Sequence, residues 1–174
     1  MATRPLGLQD VSLLAQLLAA CFPPPLNPGG CWTSLWERTI EHDIRQRLER
    51  DGDKILWLGT WREGKLVGAV ELSQRQWRHR QYIYLANLAV APAYRRQGIG
   101  RALLQLAEQA VQSWPQEQVY LHVMEDNQAA RNLYAQLGYQ VQRWEWTWRT
   151  WLGGPRRLLL AKTVCRYNQE CSAV

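Results

Sequence analysis

The sequence predicts one α/β (α+β) domain: a mixed central sheet of about six to seven strands flanked by about four helices. Three observations lead to this class. The apolar pattern switches between short strand-like runs and helical i, i+3, i+4, i+7 spacing. The resulting order, β-α-α-β-β-β-α-β-α-β-β, suits a mixed sheet with helices packed on it. And 174 residues, 47% of them hydrophobic, fill one sizeable core and leave little room for a second.

Residues 2–6 read as a first strand. Asp10 is a fair N-cap for an amphipathic helix to about Cys21, with Leu14, Leu17, Leu18 and Cys21 on one face. Phe22 to Gly30 carries four prolines and two glycines and reads as a loop. A second helix runs from about Thr33 to Arg50, with Trp36, Ile40, Ile44 and Leu48 stacked, and Asp51-Gly52-Asp53 ends it. Ile55–Trp61 and Leu66–Leu72, joined through Arg62-Glu63-Gly64-Lys65, form a hairpin. Arg75–Arg80 reads as a basic exposed connector, and Tyr82–Val90 as an interior strand. Then follow a helix at Gly98–Ser113, a strand at Val119–Met124, a helix at Asn127–Leu137 and strands at Tyr139–Arg149 and Arg157–Val164. The domain spans residues 1–164, and 165–174 read as a tail.

Composition sets outer limits. Twelve Gly and eight Pro exclude collagen-like and wholly disordered chains, and no apolar run reaches the ~20 residues of a membrane span. A net charge of +6 favours anionic partners without choosing among them; no nucleic-acid recognition motif is present. Ten Trp against one Phe put some rings at the surface or along a cleft. Cys21, Cys31, Cys165 and Cys171 have neither CxxC spacing nor a His cluster, so no metal is expected, and reduced thiols suggest the cytoplasm. Leu18-Ala19-Ala20-Cys21 resembles a lipoprotein cleavage box, but Gln16 and Asp10 do not suit a signal peptide. No membrane association is expected.

The most informative stretch is Leu88-Ala89-Val90-Ala91-Pro92-Ala93-Tyr94-Arg95-Arg96-Gln97-Gly98-Ile99-Gly100-Arg101. A buried strand enters a two-glycine turn that opens directly into a helix. Glycines let a ligand approach the backbone, and the first helical N–H groups lack intrachain acceptors at the positive end of the dipole. Such a corner suits a pyrophosphate, with Arg95, Arg96 and Arg101 adding charge. Leu103 breaks GxGxxG, and no Walker lysine is present.

Arg95-xx-Gly98-x-Gly100, after a strand ending Asn87-Leu-Ala-Val90, resembles motif A of the GNAT acyltransferase superfamily. Leu121-His122-Val-Met-Glu-Asp-Asn127-Gln-Ala-Ala-Arg131-Asn-Leu-Tyr134-Ala-Gln-Leu-Gly138-Tyr139 is similar to that superfamily's later strand-helix block. The resemblance covers roughly residues 55–164 and implies a GNAT-like domain using acetyl-CoA as cosubstrate. Arg96, Gln97, Gly98, Ile99, Gly100 and Arg101 then line the pyrophosphate, Leu88, Ala89 and Val90 pair with the pantetheine arm, and Arg95, Asn127 and Arg131 complete the coenzyme site.

Acetyl transfer to an amine needs a neutral amine, a polarised carbonyl and protonation of the departing thiolate. The resemblance implies Tyr134 as the acid toward sulfur; a packed structural tyrosine is the alternative. His122 stands where ribosomal-protein N-terminal acetyltransferases of bacteria have glutamate and several eukaryotic N-terminal acetyltransferases have histidine. Tyr84, or Tyr82 if the strand slips by one pleat, would assist it through water. At pH 7 an α-amine is roughly one-eighth neutral but a lysine only about one in 2,500, which favours peptide N-termini. Tyr120-Leu-His-Val-Met-Glu-Asp-Asn127 and Gly154-Pro-Arg-Arg-Leu-Leu-Leu160 resemble the cyanobacterial and plastid branch, some members of which act on lysines or arylalkylamines. A protein or peptide acceptor is expected, with a small amine or non-catalytic coenzyme binding as alternatives, in a monomer or homodimer. Trp144, Trp146 and Trp148 share one strand face and read as core or sheet-edge packing. Trp32 and Trp36 could wall an acceptor pocket, and Asn87 is either structural or an acceptor contact.

Overall fold

The computed structural model describes residues 2–24, 33–146, 148–151 and 153–164. Cys31, Cys165, Cys171, Trp32 and the expected tail lie outside them. Twelve elements follow in order: β1 Ala2–Pro5, α1 Val11–Cys21, α2 Thr33–Asp51, β2 Ile55–Arg62, β3 Lys65–Trp77, β4 Arg80–Val90, α3 Ile99–Ala110, β5 Gln118–Met124, α4 Gln128–Gln136, β6 Gln140–Glu145, the single turn α5 Trp148–Trp151, and β7 Arg157–Thr163. The strands form a seven-stranded mixed sheet ordered β1-β2-β3-β4-β5-β7-β6, in agreement with the expected fold class. Among the described residues no helix is long and apolar enough to cross a membrane.

The chain divides into two compact units, Met1–Ser73 with Asn87–Ala107 and Gln74–Ala86 with Glu108–Val174. In the first, β1 and β3 flank β2 antiparallel, with Thr3 opposite Thr60 and Leu58 opposite Val70. The apolar stripe of α1 (Val11, Leu14, Leu17, Leu18) meets Leu6, Ile44 of α2, Trp57, Ala69 and Ala89 in one core. Asp10 starts α1, but its carboxylate serves other donors: Arg4 Nη1 and Nη2 at 2.8 and 2.7 Å and the Gly7 amide at 3.1 Å. Gly68 lets α3 lie close, because a Cβ there would come within 2.9 Å of Ile99 Cγ2 and 3.0 Å of Leu103 Cδ1.

In the second unit, β4 pairs in parallel with β5 (Tyr84 opposite Tyr120), β5 pairs antiparallel with β7 (His122 opposite Leu159), and β7 pairs antiparallel with β6. Val119, Leu121 and Val123 are buried, as the alternation along β5 requires.

Two sequence expectations need correction. The Arg75–Arg80 connector is mostly strand: β3 continues to Trp77 and β4 begins at Arg80, leaving Arg78-His79 as the turn, with Arg78 at φ 54°. The last-but-one strand stops at Glu145 rather than Arg149, since its ladder partner β7 begins at Arg157, opposite Glu145. Trp148 therefore lies in the helical turn, and the three-tryptophan alternation does not exist. Trp144, on the edge strand, stacks under Arg156 at 4.3 Å, and Trp146 is exposed.

Candidate active site

The glycine turn of the first unit is shaped for an anion. Backbone handedness alternates through it: Arg96 has φ 63° and Gly98 φ 79°, so successive amides converge as in an anion-binding nest. Arg95 N donates back to Pro92 O at 3.3 Å and Ala102 N to Gly98 O at 3.0 Å. Between them, the amides of Arg96, Gln97, Gly98, Ile99 and Gly100 donate to no backbone acceptor among the described residues. A Cβ at Gly98 would meet nothing within 4 Å, so the turn is open to a ligand. Ile99 is buried and anchors the start of α3.

Side chains brace this turn. Gln97 accepts from Arg62 Nη1 at 2.6 Å and donates to Ala93 O at 3.3 Å, while Arg62 lies 5.8 Å from the Tyr94 ring. Arg95 Nε donates to Val90 O at 3.0 Å, and the free thiol of Cys21 approaches the same carbonyl at 3.4 Å. Arg95 thus lies along the strand end, and like Arg96 and Arg101 it is exposed. Upstream, Asn87 takes the left-handed conformation (φ 51°) inside β4. Its amide donates to Glu71 Oε2 at 2.7 Å, and Glu71, fully buried, is ion-paired with Arg47 of α2. Asn87 is therefore held by an internal carboxylate. It kinks β4 just before Leu88, Ala89 and Val90.

The second unit gathers the predicted proton-transfer residues. Parallel pairing sets Tyr84 opposite Tyr120, so its side chain reaches the residue two further along β5 on the same face, His122. Tyr84 Oη lies 2.7 Å from His122 Nδ1. Tyr82 makes the same diagonal one step earlier and packs edge-on against Tyr120 at 5.5 Å. The tyrosine that meets the histidine is Tyr84.

The opposite ring nitrogen, His122 Nε2, lies 3.1 Å from Glu145 Oε2, a residue the sequence reading missed. Arg157 reaches the same carboxylate oxygen through Nε (3.1 Å) and Nη2 (2.7 Å), and Arg143 Nη2 reaches the other at 2.9 Å. Arg75 stacks on the Tyr84 ring at 3.9 Å. Burial, reinforced by Arg157, pushes the His122 pKa below its ordinary value despite the Glu145 contact. Burial pushes Tyr84 up. Burial also acts upward on Glu145, but hydrogen bonds from Arg157, Arg143 and His122 outweigh it and hold the carboxyl at about 2. At neutral pH the chain is therefore phenol, neutral imidazole, carboxylate.

Tyr134 lies in α4. Asn127 caps that helix, its side chain accepting from Ala130 N at 3.2 Å, and Arg131 folds back to donate to Glu125 O at 3.0 Å. Asn127 and Arg131 thus build the β5–α4 corner. Tyr134 is 6% exposed and packs edge-on against Tyr139 at 5.7 Å. Its hydroxyl makes no hydrogen bond among the described residues, and burial pushes its pKa to about 12. Trp36 Nε1, by contrast, donates to Phe22 O at 2.9 Å. No group of three His, Cys, Asp or Glu is placed to hold a metal ion among the described residues.

Residues 13–139 match the Acetyltransferase (GNAT) family, and the chain belongs to that family. It is 36% identical over 83 residues to the chloroplastic GCN5-related N-acetyltransferase 10 of Arabidopsis thaliana, covering 47% of this chain and 32% of that one. It is 31% identical over 90 residues to NAA10, the catalytic subunit of the N-terminal acetyltransferase A complex of the same plant, covering 51% and 47%. The chain thus spans about a third of the first relative's length and less than half of the second's. The PaiA N-acetyltransferase of Thermoplasma acidophilum, solved with coenzyme A, superposes with a TM-score of 0.69 at 19% identity, over 94% of this chain and 99% of that one.

Proposed function

We propose that this protein transfers an acetyl group from acetyl-CoA to the α-amine of a protein or peptide. The observation that carries this reading is the 2.7 Å contact between Tyr84 Oη and His122 Nδ1, a proton acceptor in contact with a partly buried phenol. The amides from Arg96 to Gly100, which meet no backbone acceptor among the described residues, take the diphosphate of the coenzyme, and Arg96 and Arg101 add charge beside it. The main chain at Leu88–Val90 guides the pantetheine arm.

In the reaction, the amine nitrogen bonds to the thioester carbon and the carbon–sulfur bond breaks. The proton leaving nitrogen passes to the Tyr84 oxygen, directly or through water, as Tyr84 gives its own to His122 Nδ1. We assign Tyr134 to the departing sulfur. At about 12 its phenol is some 3.5 units less acidic than an ordinary thiol, so it stabilises the thiolate as a hydrogen-bond donor, and solvent completes the protonation.

Charge around the relay supports a neutral amine. Arg75, Arg143 and Arg157 bring guanidinium groups beside Tyr84 and Glu145, and positive charge there disfavours an ammonium. An α-amine sheds its proton far more readily than lysine does. The N-terminal acetyltransferase relative acts on the same class of group by its name. The free thiol of Cys21 fits a reducing compartment such as the cytoplasm.

The test is incubation with acetyl-CoA, a peptide mixture and an amine panel, followed by mass spectrometry. Peptides acetylated at the N-terminal nitrogen are expected. Acetylation confined to small amines would overturn the acceptor assignment, and absence of any product would overturn the reaction.

A further inference from the structure

Glu145 belongs to none of the sequence motifs above, yet it occupies the far side of His122. We propose that Glu145 is a positioning residue that fixes His122 in the Nε2–H form, leaving the Nδ1 lone pair directed at the Tyr84 hydroxyl. The proposal rests on the reading of Tyr84 and His122 as the proton relay of acetyl transfer.

The argument is one of donor and acceptor arithmetic. An ionised carboxylate only accepts, and a neutral imidazole carries a single N–H. With Glu145 Oε2 at 3.1 Å from Nε2, the hydrogen between them belongs to the ring. Nδ1 is then the acceptor, and Tyr84 at 2.7 Å donates to it. The other tautomer would set a ring lone pair against a carboxylate oxygen and oblige Tyr84 to accept, which reverses the direction in which a proton can move. Glu145 is itself held: Arg157 grips Oε2 and Arg143 grips Oε1.

The sheet shows how the carboxylate reaches this place. His122 lies in one cross-strand row with Leu159 and, on β6, with Arg143. Glu145 sits in the next row on the same face, opposite Arg157. That placement depends on the register shift between Val141 and Arg143. Without the extra residue, Trp144 would stand opposite Arg157. A bulge that re-aims a side chain in this manner is a recurring device beside functional groups.

The titratable and charged groups around His122 and Tyr84 are Tyr82 of β4, Arg75 of β3, Tyr134 of α4, Glu145 and Arg143 of β6, and Arg157 of β7. A merely structural Glu145 would tie β6 to β7 through Arg157 and leave the imidazole indifferent to its removal.

The two roles separate by nitrogen-15 NMR of the histidine rings in the full chain at pH 8. Only His42, His79 and His122 contribute, and a His122→Gln variant identifies the relevant signals. The expected spectrum has a protonated Nε2 and a bare Nδ1 on His122. Glu145→Ala should shift this toward a mixture of tautomers, and Glu145→Gln, whose amide oxygen still accepts, should restore part of it. Turnover in Glu145→Ala should fall roughly 10- to 100-fold, no more than the 10²–10⁴ that a positioned base supplies, with the acceptor KM and coenzyme affinity nearly kept. A wild-type ring protonated at Nδ1, or a tautomer ratio unchanged in Glu145→Gln and in Glu145→Ala where it folds, overturns the proposal. The spectrum requires no turnover. A tautomer ratio indifferent to Glu145 therefore counts against the proposal for Glu145 alone, and a protein that yields no acetylated product counts against the reaction.

Discussion

Arg47→Met removes the guanidinium from a carboxylate that has nowhere else to go. Glu71 is 0% exposed and has two side-chain partners, Arg47 and Asn87 Nδ2 at 2.7 Å. Methionine keeps much of the aliphatic stem packed, so the perturbation is mainly electrostatic. Breaking a buried pair from one side costs about 3–5 kcal/mol. The Arg47 side chain is 24% exposed, so water enters the gap and the lower end applies, about 3 kcal/mol. At about 2–4 °C per kcal/mol for a chain of this size, the midpoint should drop by about 6–12 °C. Urea unfolding followed by tryptophan fluorescence reads the loss directly. Adding Glu71→Met removes the second charge and should recover about 2 kcal/mol, leaving a residual deficit because Asn87 loses its acceptor. A single variant within 1 kcal/mol of wild type, or a double variant worse than the sum of its parts, would refute the view that this pair is a buried charge held by its partner.

The remaining predictions concern the proposed reaction. Tyr134→Phe removes a hydroxyl with no hydrogen bond among the described residues, so unfolding should change by less than about 0.5 kcal/mol. Steady-state assays should nonetheless show kcat reduced by about 10² or more; a fall below threefold would remove Tyr134 from the chemistry. Gly98→Ala meets no atom within 4 Å but must hold φ 79°, at about 1–2 kcal/mol of strain. Calorimetric titration should show coenzyme A binding weakened more than tenfold, and unchanged binding would exclude the turn as the diphosphate site. The pH profile follows from His122, whose folded pKa lies below its ordinary 6.5. The folded protein prefers the neutral ring, so this contribution to stability is complete above pH 6.5 and is lost as pH falls through the folded value. Once the amine's own ionisation at about 7.8 is divided out, the acid limb of kcat/KM should likewise lie below 6.5, with Glu145 ionised down to about 2; a remaining acid limb above 6.5 would contradict this assignment.

Which of these features could be read from the sequence depended on whether a local backbone demand or a distant pairing created them. The Gly98 turn was legible because positive φ and close ligand approach restrict residue type at that position. Tyr134 and Asn127 were legible as members of one motif on one helix. The Arg75–Arg80 stretch was misread because charged side chains report solvent exposure, and the exposed end of a long hairpin carries the same residues as a loop. The tryptophan alternation failed for another reason: a strand lasts only as long as its partner, and β7 ends the pairing at Arg157. Tyr84 and Tyr82 could not be told apart until the parallel register set Tyr84 opposite Tyr120. Glu145 was the least accessible, because it is neither in a motif nor near His122 in sequence. Its place comes from a one-residue slip in β6 that turns the rest of the strand over. Closing that slip would leave the composition unchanged while setting Trp144 opposite Arg157 in place of Glu145. The proposed proton relay is thus specified by strand register as much as by the identities of Tyr84 and His122.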